Sequence, residues 1–192
     1  SFGNGVAGII GLTDEIKPDS KEAISQLQNM GVNVIMLTGD SDKAAKHTSA
    51  IVGINESYGG LLPENKSEKI KALLTKYKNV AMVGDGINDA PALAQSTVGI
   101  AMGAAGSDTA IETANIALMN DRLSLIPFLI QLSKRTLRTI KINTTGAIAV
   151  KVLFIILAFM GYSNLVFAIA ADVGVTLIVI LISLNLMKFK QL

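Results

Sequence analysis

MVGDGINDAPALA, residues 82–94, is the stretch on which the fold turns. An apolar run at 80–83 breaks into glycines and then reaches Pro91, the pattern of a strand, a tight turn and a helix start. Gly84 and Gly86 let backbone come close to a ligand, and Asn88 offers an amide donor. Asp85 and Asp89 stand one helical turn apart. Mg²⁺ prefers carboxylate oxygens, usually one or two of them with phosphate and water completing the shell, so the turn reads as a magnesium and phosphate site. Asp89 alone would read as a helix N-cap, which Asp ahead of Pro suits; the whole string points to the site.

Working outward, strands and helices alternate with short connections. A Gly-punctuated apolar run at 6–12 predicts a strand, and Pro18 with Asp19 or Ser20 starts a helix that ends at Gly31. Residues 32–37 form a short apolar run that suits a buried parallel strand and stops at Thr38-Gly39-Asp40. A helix at 42–52 and a weak strand near Tyr58 follow. Ile70, Leu73, Leu74 and Tyr77 recur at helical spacing, which predicts an amphipathic helix over 67–77. Then come a strand at 80–83, a helix at 91–95, a strand at 98–102, a helix at 108–113 and a strand at 116–119. This alternation predicts an α/β domain with a right-handed parallel sheet. Ligands in such sheets bind at the carboxyl ends of the strands. Thr38-Gly39-Asp40 and Gly84-Asp85-Gly86 both sit at such ends, so two strands deliver suitable chemistry to one edge.

Composition narrows the function classes. The 192 residues carry 17 Lys and Arg against 15 Asp and Glu, a net charge of +2, and no basic stripe interleaved with aromatics, so no nucleic-acid surface is expected. Cysteine is absent and His47 is the single histidine, which excludes thiolate sites and a histidine metal cluster within this sequence. The first thirty residues hold no apolar core of signal-peptide length.

Mean hydropathy is +0.48, and the apolar excess sits in the last fifty residues. A stretch over 122–142 carrying Lys134, Arg135, Arg138 and Lys141 reads as a basic linking helix. It leads into 144–160, interrupted by Lys151, then a turn at GYSN, then 165–187, interrupted by Asp172. Spans of about 20 residues cross a hydrocarbon core, so 143–190 reads as a transmembrane hairpin. The basic residues before it, with Lys188 and Lys190 after it, place residues 1–142 and the C-terminus on the cytoplasmic side. Each intramembrane charge costs about 2.5 to 3.5 kcal/mol at a helix centre. Counted from the turn, Lys151 and Asp172 differ in depth by roughly 4 to 5 Å, within reach of a lysine. Two readings fit: a structural ion pair or snorkelling lysine, or a cation site with Asp172 as ligand and Lys151 as a charge that displaces the cation.

Thr38-Gly39-Asp40, residues 63–66 and the string Gly84-Asp85-Gly86-Ile87-Asn88-Asp89-Ala90-Pro91 together resemble the phosphorylation domain of P-type ATPases, itself of the haloacid-dehalogenase-like fold. The resemblance covers essentially the whole chain. It implies that Asp85 binds Mg²⁺ with Asp89 and Asn88 ordering the site. It also implies that Thr38 and Gly39, next to Asp40, hold phosphoryl oxygens which Lys66 neutralises, and that ATP is the donor. Lys151 and Asp172-Val173-Gly174 are similar to the zinc/cadmium/lead-exporting branch, which implies Zn²⁺, Cd²⁺ or Pb²⁺ as cargo and the lipid bilayer as surroundings. The run GIAMGAAGSDTAIETANIALM also resembles that branch. The family's nucleophile lies in a DKTGT string, and none occurs in the 192 residues. The expectation is a partial phosphorylation domain at 1–121 with the last two membrane helices, inactive alone and partnered by a missing N-terminal part. The alternatives are a membrane-tethered haloacid-dehalogenase-like phosphatase and a non-catalytic membrane partner that retains a defunct site.

Overall fold

The computed structural model describes residues 15–85, 88–103, 108–162 and 165–188. The strand expected at 6–12, Gly86, Ile87 and Lys190 lie outside them. The chain divides into two compact units, Ser1–Leu125 and Ile126–Leu192.

In the first unit the order is α1 (Ser20–Asn29), β1 (Ile35–Leu37), α2 (Asp42–Val52), β2 (Glu56–Tyr58), α3 (Pro63–Tyr77), β3 (Ala81–Gly84), α4 (Ala90–Gln95), β4 (Val98–Met102), α5 (Asp108–Thr113) and β5 (Ile116–Leu118). Local chemistry accounts for the boundaries. The Ser41 hydroxyl accepts from the Ala44 N–H at the start of α2, and Gly53, at φ 82°, ends that helix in the left-handed region, where a glycine carries no Cβ penalty. Helix α3 begins at Pro63 rather than at 67. Proline at the first helical position needs no hydrogen-bond partner, and the Asn65 side chain accepts from the Leu62 N–H at 3.3 Å.

All the described strand pairs are parallel. Ile35 stands opposite Glu56 and Leu37 opposite Tyr58, while β3, β4 and β5 pair in that order with Val83 opposite Ile100. One sheet was expected; among the described residues the pairing falls into two groups, β1-β2 and β3-β4-β5. Both groups bury side chains in one core. Ile35 and Leu37 pack against the cluster of Ile70, Leu73, Met82, Ala92 and Leu93. Leu93 is 1% exposed, and truncating such a leucine to alanine costs about 2–5 kcal/mol. The core thus fixes the carboxyl ends of β1 and β3 relative to α3 and α4.

The second unit holds α6 (Leu125–Phe159), α7 (Leu165–Leu184) and a 3₁₀ turn (Asn185–Lys188). Both helices are long and apolar enough to cross a membrane. The basic stretch 122–142 is not a separate element: from Leu125 onward it is continuous with the apolar stretch in one 35-residue helix. At 1.5 Å per residue that helix is about 52 Å long, well beyond a hydrocarbon core of about 30 Å. Its Lys- and Arg-bearing end therefore has length to spare outside the bilayer.

Candidate functional site

The loop after β1 is held by its own backbone and one hydroxyl. The Thr38 Oγ1–H donates to Asp40 Oδ2, and Thr38 Oγ1 accepts from the Asp40 N–H, each at 3.1 Å. The Thr38 N–H donates to the Tyr58 carbonyl, and the Leu61 N–H to the Thr38 carbonyl, each at 3.0 Å. Asp42 adds a further tie, accepting from the Gly59 N–H at 3.1 Å. Thr38, Gly39 and Asp40 are thus stitched to residues 58–61, which lead straight into α3.

Helix α3 then carries Lys66 to the second turn. Lys66 Nζ lies 2.6 Å from Asp89 Oδ1, and both side chains are 14% exposed. Such a short contact between ionised groups is a charge-assisted hydrogen bond. Asp89 precedes α4 at its N-cap position but makes no side-chain cap bond, so the capping role its spacing allowed is replaced by the pair with Lys66. Gly84 is required where it stands: a Cβ there would lie 2.5 Å from Asp89 Oδ2. The carboxylate occupies the space a side chain on β3 would need. Asp85 and Asn88 are exposed beside it.

The donor set around this turn is oxygen, apart from the Lys66 ammonium, which suits a hard cation such as Mg²⁺ rather than a thiophilic one. No group of three or more His, Cys, Asp or Glu able to hold a metal forms among the described residues. Mg²⁺ bound to phosphate needs only one or two carboxylates, and Asp85 and Asp89 meet that requirement. An open groove of about 580 Å³ along α2 and β2, lined by Lys46, Ser49, Asn55, Glu56 and Tyr58, contains none of Thr38, Gly39, Asp40, Lys66, Asp85, Asn88 and Asp89.

In the second unit Lys151 Nζ lies 3.2 Å from Asp172 Oδ1, so α6 and α7 do bring the two charges together. Both line a cleft of about 410 Å³ with Ala147, Val150 and Val175. A second polar contact joins the same helices: Asn143 Nδ2 donates to Ser183 Oγ at 3.1 Å. Sequence reasoning passed over Asn143, Ser183 and Asp42. A polar residue inside or beside an apolar span was the available sign for the first two; nothing in the spacing marked the third.

A family model described as haloacid dehalogenase-like hydrolase matches residues 2–97. The chain is 48% identical over 187 residues to a cadmium-transporting ATPase of Staphylococcus aureus, covering 97% of this chain and 26% of that protein. It is 40% identical over 189 residues to a cadmium, zinc and cobalt-transporting ATPase of Bacillus subtilis (strain 168), covering 96% of this chain and 27% of that protein. Among solved structures it is similar to a zinc-transporting PIB-type ATPase in its E2.Pi state, with a TM-score of 0.83, 39% identity, and coverage of 91% of this chain and 28% of that one. The chain therefore spans about a quarter of the length of the relatives it matches.

Proposed function

Because the chain belongs to the haloacid dehalogenase-like hydrolase family, we propose that it is the C-terminal part of an ATP-driven P-type exporter of Zn²⁺, Cd²⁺ or Pb²⁺. One observation carries this furthest: Lys151 and Asp172 meet at 3.2 Å on two membrane-capable helices of a chain that also builds a carboxylate and lysine site on a parallel α/β unit. A phosphatase with a plain anchor gains nothing from two charges that each cost about 2.5 to 3.5 kcal/mol in a bilayer. The 48% identity to the Staphylococcus aureus cadmium-transporting ATPase supports the same choice.

In this reading the first unit positions a phosphoryl group. The Thr38 hydroxyl and the Gly39 N–H donate to its oxygens, and Thr38 turns away from Asp40 to do so. Lys66 places a positive charge where negative charge develops, and Asn88 adds an amide donor. Asp85 and Asp89 are the residues that would hold Mg²⁺, which would supply charge neutralisation at the phosphoryl oxygens. Catalysis of phosphoryl transfer consists mostly of such positioning and electrostatics. The aspartate that accepts the phosphoryl group belongs, in this account, to a DKTGT segment outside these 192 residues, and this chain alone is inactive.

The membrane unit handles the cargo. Asp172 offers a carboxylate to the divalent cation, and Lys151 competes for that carboxylate and discharges the site. Lys134, Arg135, Arg138, Lys141 and Lys188 flank the apolar spans on one side, and the excess of positive charge supports a cytoplasmic position for that side.

Phosphoenzyme formation tests the reading. In the complete polypeptide, ATP labels an acid-stable aspartyl phosphate, and Asp85→Asn reduces its formation or turnover at least tenfold by weakening Mg²⁺ binding. Unchanged ATPase activity in Asp85→Asn would sink that role.

A further inference from the structure

The Lys151–Asp172 pair is not held in place by burial. Within this chain the two side chains are 63% and 56% exposed, and the lysine ammonium sits on a flexible four-carbon stem. What keeps them opposite is the register of α6 against α7. Asn143 is 9% exposed, one of two buried polar residues among the described ones, and its Nδ2 donates across to Ser183 Oγ. Among the described residues none bonds its Oδ1. A buried amide with one half unpaired by protein costs stability relative to an apolar side chain of the same size. A single such residue in a helix interface is known to fix register at that cost.

The numbering shows that the two contacts belong to one register. In an antiparallel hairpin, each step back along one helix is matched by a step forward along the other. Asn143 lies eight residues before Lys151, and Ser183 eleven after Asp172. The mismatch is three residues, less than one turn. Asp172 and Ser183 also share a stripe of α7, since eleven residues come within about 20° of three whole turns. On α6, Asn143 stands one turn before Ala147, which lines the cleft with Lys151 and Asp172. Sliding either helix by one turn, about 5.4 Å, breaks both contacts together.

We propose that the Asn143–Ser183 hydrogen bond is a positioning contact that sets the register of α6 on α7 and so holds the Lys151 ammonium opposite the Asp172 carboxylate. The proposal concerns the cation site of the reading above and rests on it for its functional consequence. Neither Asn143 nor Ser183 touches the cargo. Their effect is on cation affinity through the depth and facing of Asp172, and the cytoplasmic phosphate chemistry is untouched.

The test uses the complete polypeptide with Asn143→Leu, Ser183→Ala and the exchange Asn143→Ser with Ser183→Asn. The Zn²⁺ concentration that half-stimulates ATP hydrolysis rises about three- to fifteenfold in the two single variants, the range set by interhelical side-chain hydrogen bonds in lipid. The exchange variant returns to within about twofold, and metal-independent phosphorylation by inorganic phosphate stays at the parental level in all three. Half-stimulation at the parental Zn²⁺ concentration in Asn143→Leu overturns the proposal. Register is also read without transport, by oxidative cross-linking of Ala147→Cys with Val175→Cys, which face the same cleft. The link forms in the parental background and is lost in Asn143→Leu; equal linking in both overturns the register contact. A parent that Zn²⁺ and Cd²⁺ both fail to stimulate, yet that cross-links as stated, defeats the transport reading and leaves the register contact standing.

Discussion

Lys66 Nζ and Asp89 Oδ1 meet at 2.6 Å across 23 residues of sequence, tying α3 to the start of α4 at the turn that carries Asp85. With both side chains 14% exposed, solvent screens the pair only partly. Removing the lysine leaves a mostly buried carboxylate short of a strong donor, a loss of about 1–3 kcal/mol. Lys66→Met is therefore expected to speed amide exchange at the start of α4 and to lower ATP turnover of the complete polypeptide at least tenfold. Lys66→Arg keeps the charge but not the compact ammonium and falls between. Parental turnover in Lys66→Met would contradict this assignment.

Gly84 offers a steric test of the same turn. A Cβ would sit 2.5 Å from Asp89 Oδ2 and 2.7 Å from Asp89 Cβ; because Cβ is fixed to the backbone, Gly84→Ala must shift the backbone at Asp89 as well as its carboxylate. The fold survives, because the shift is confined to the turn before α4 and β3 keeps its pairing with β4. Expected is a drop in Mg²⁺-dependent phosphorylation of at least tenfold with normal expression. Gly39→Ala, whose Cβ would meet only the Leu61 carbonyl at 3.5 Å, perturbs its loop far less. Full activity in Gly84→Ala would show that Asp89 need not lie where it does.

Asp19 gives a pH dependence with a definite sign. The Ser124 N–H donates to Asp19 Oδ2 at 2.9 Å, and this bond holds the carboxyl below its ordinary value, burial opposing it. An unfolded aspartate titrates near 3.9. Between that value and the lower folded one the unfolded chain binds more protons, so the contribution is complete above about pH 4 and fades as pH falls through the folded value. Protection of the Ser124 amide, corrected for intrinsic exchange, should decline below about pH 4 and be insensitive to pH in Asp19→Asn. Asp121, paired with Lys17 nearby, is present in the parent and the variant alike, so the comparison isolates Asp19. The same decline in both proteins would rule Asp19 out.

Much of this was readable from residue order, and the limits are specific. Helix α2 matches its expected bounds because Ser41 caps it and Gly53 stops it. Strand β4 matches because residues 98–102 are apolar and bounded by polar residues and glycine. Helix α3 starts earlier than its apolar periodicity indicated, since Pro63 and Asn65 define a first turn with no apolar face. The likeness to P-type ATPases named Lys66 and Asp89, but their direct pairing depends on α3 packing beside α4, which no local pattern encodes. The Lys151–Asp172 contact was deducible from helical rise, because a hairpin makes depth a matter of counting. Asn143 and Ser183 stayed hidden in stretches described by their apolar majority.

Lys151 separates a pump from a structural ion pair. If its ammonium serves only to neutralise Asp172, Lys151→Met leaves an unpaired carboxylate and chiefly lowers the yield of folded protein. If it competes with the cargo for Asp172, cation binding persists in Lys151→Met while steady-state turnover falls at least tenfold. Binding by equilibrium dialysis and turnover by phosphate release, measured on the same preparation, distinguish the two.

The most direct test of the account is Zn²⁺- and Cd²⁺-stimulated ATP hydrolysis by the complete polypeptide, compared with its Asp172→Ala variant. The account predicts clear stimulation in the parent and none in Asp172→Ala, with metal-independent phosphorylation by inorganic phosphate intact in both. Stimulation retained in Asp172→Ala, or absent from the parent, would contradict it.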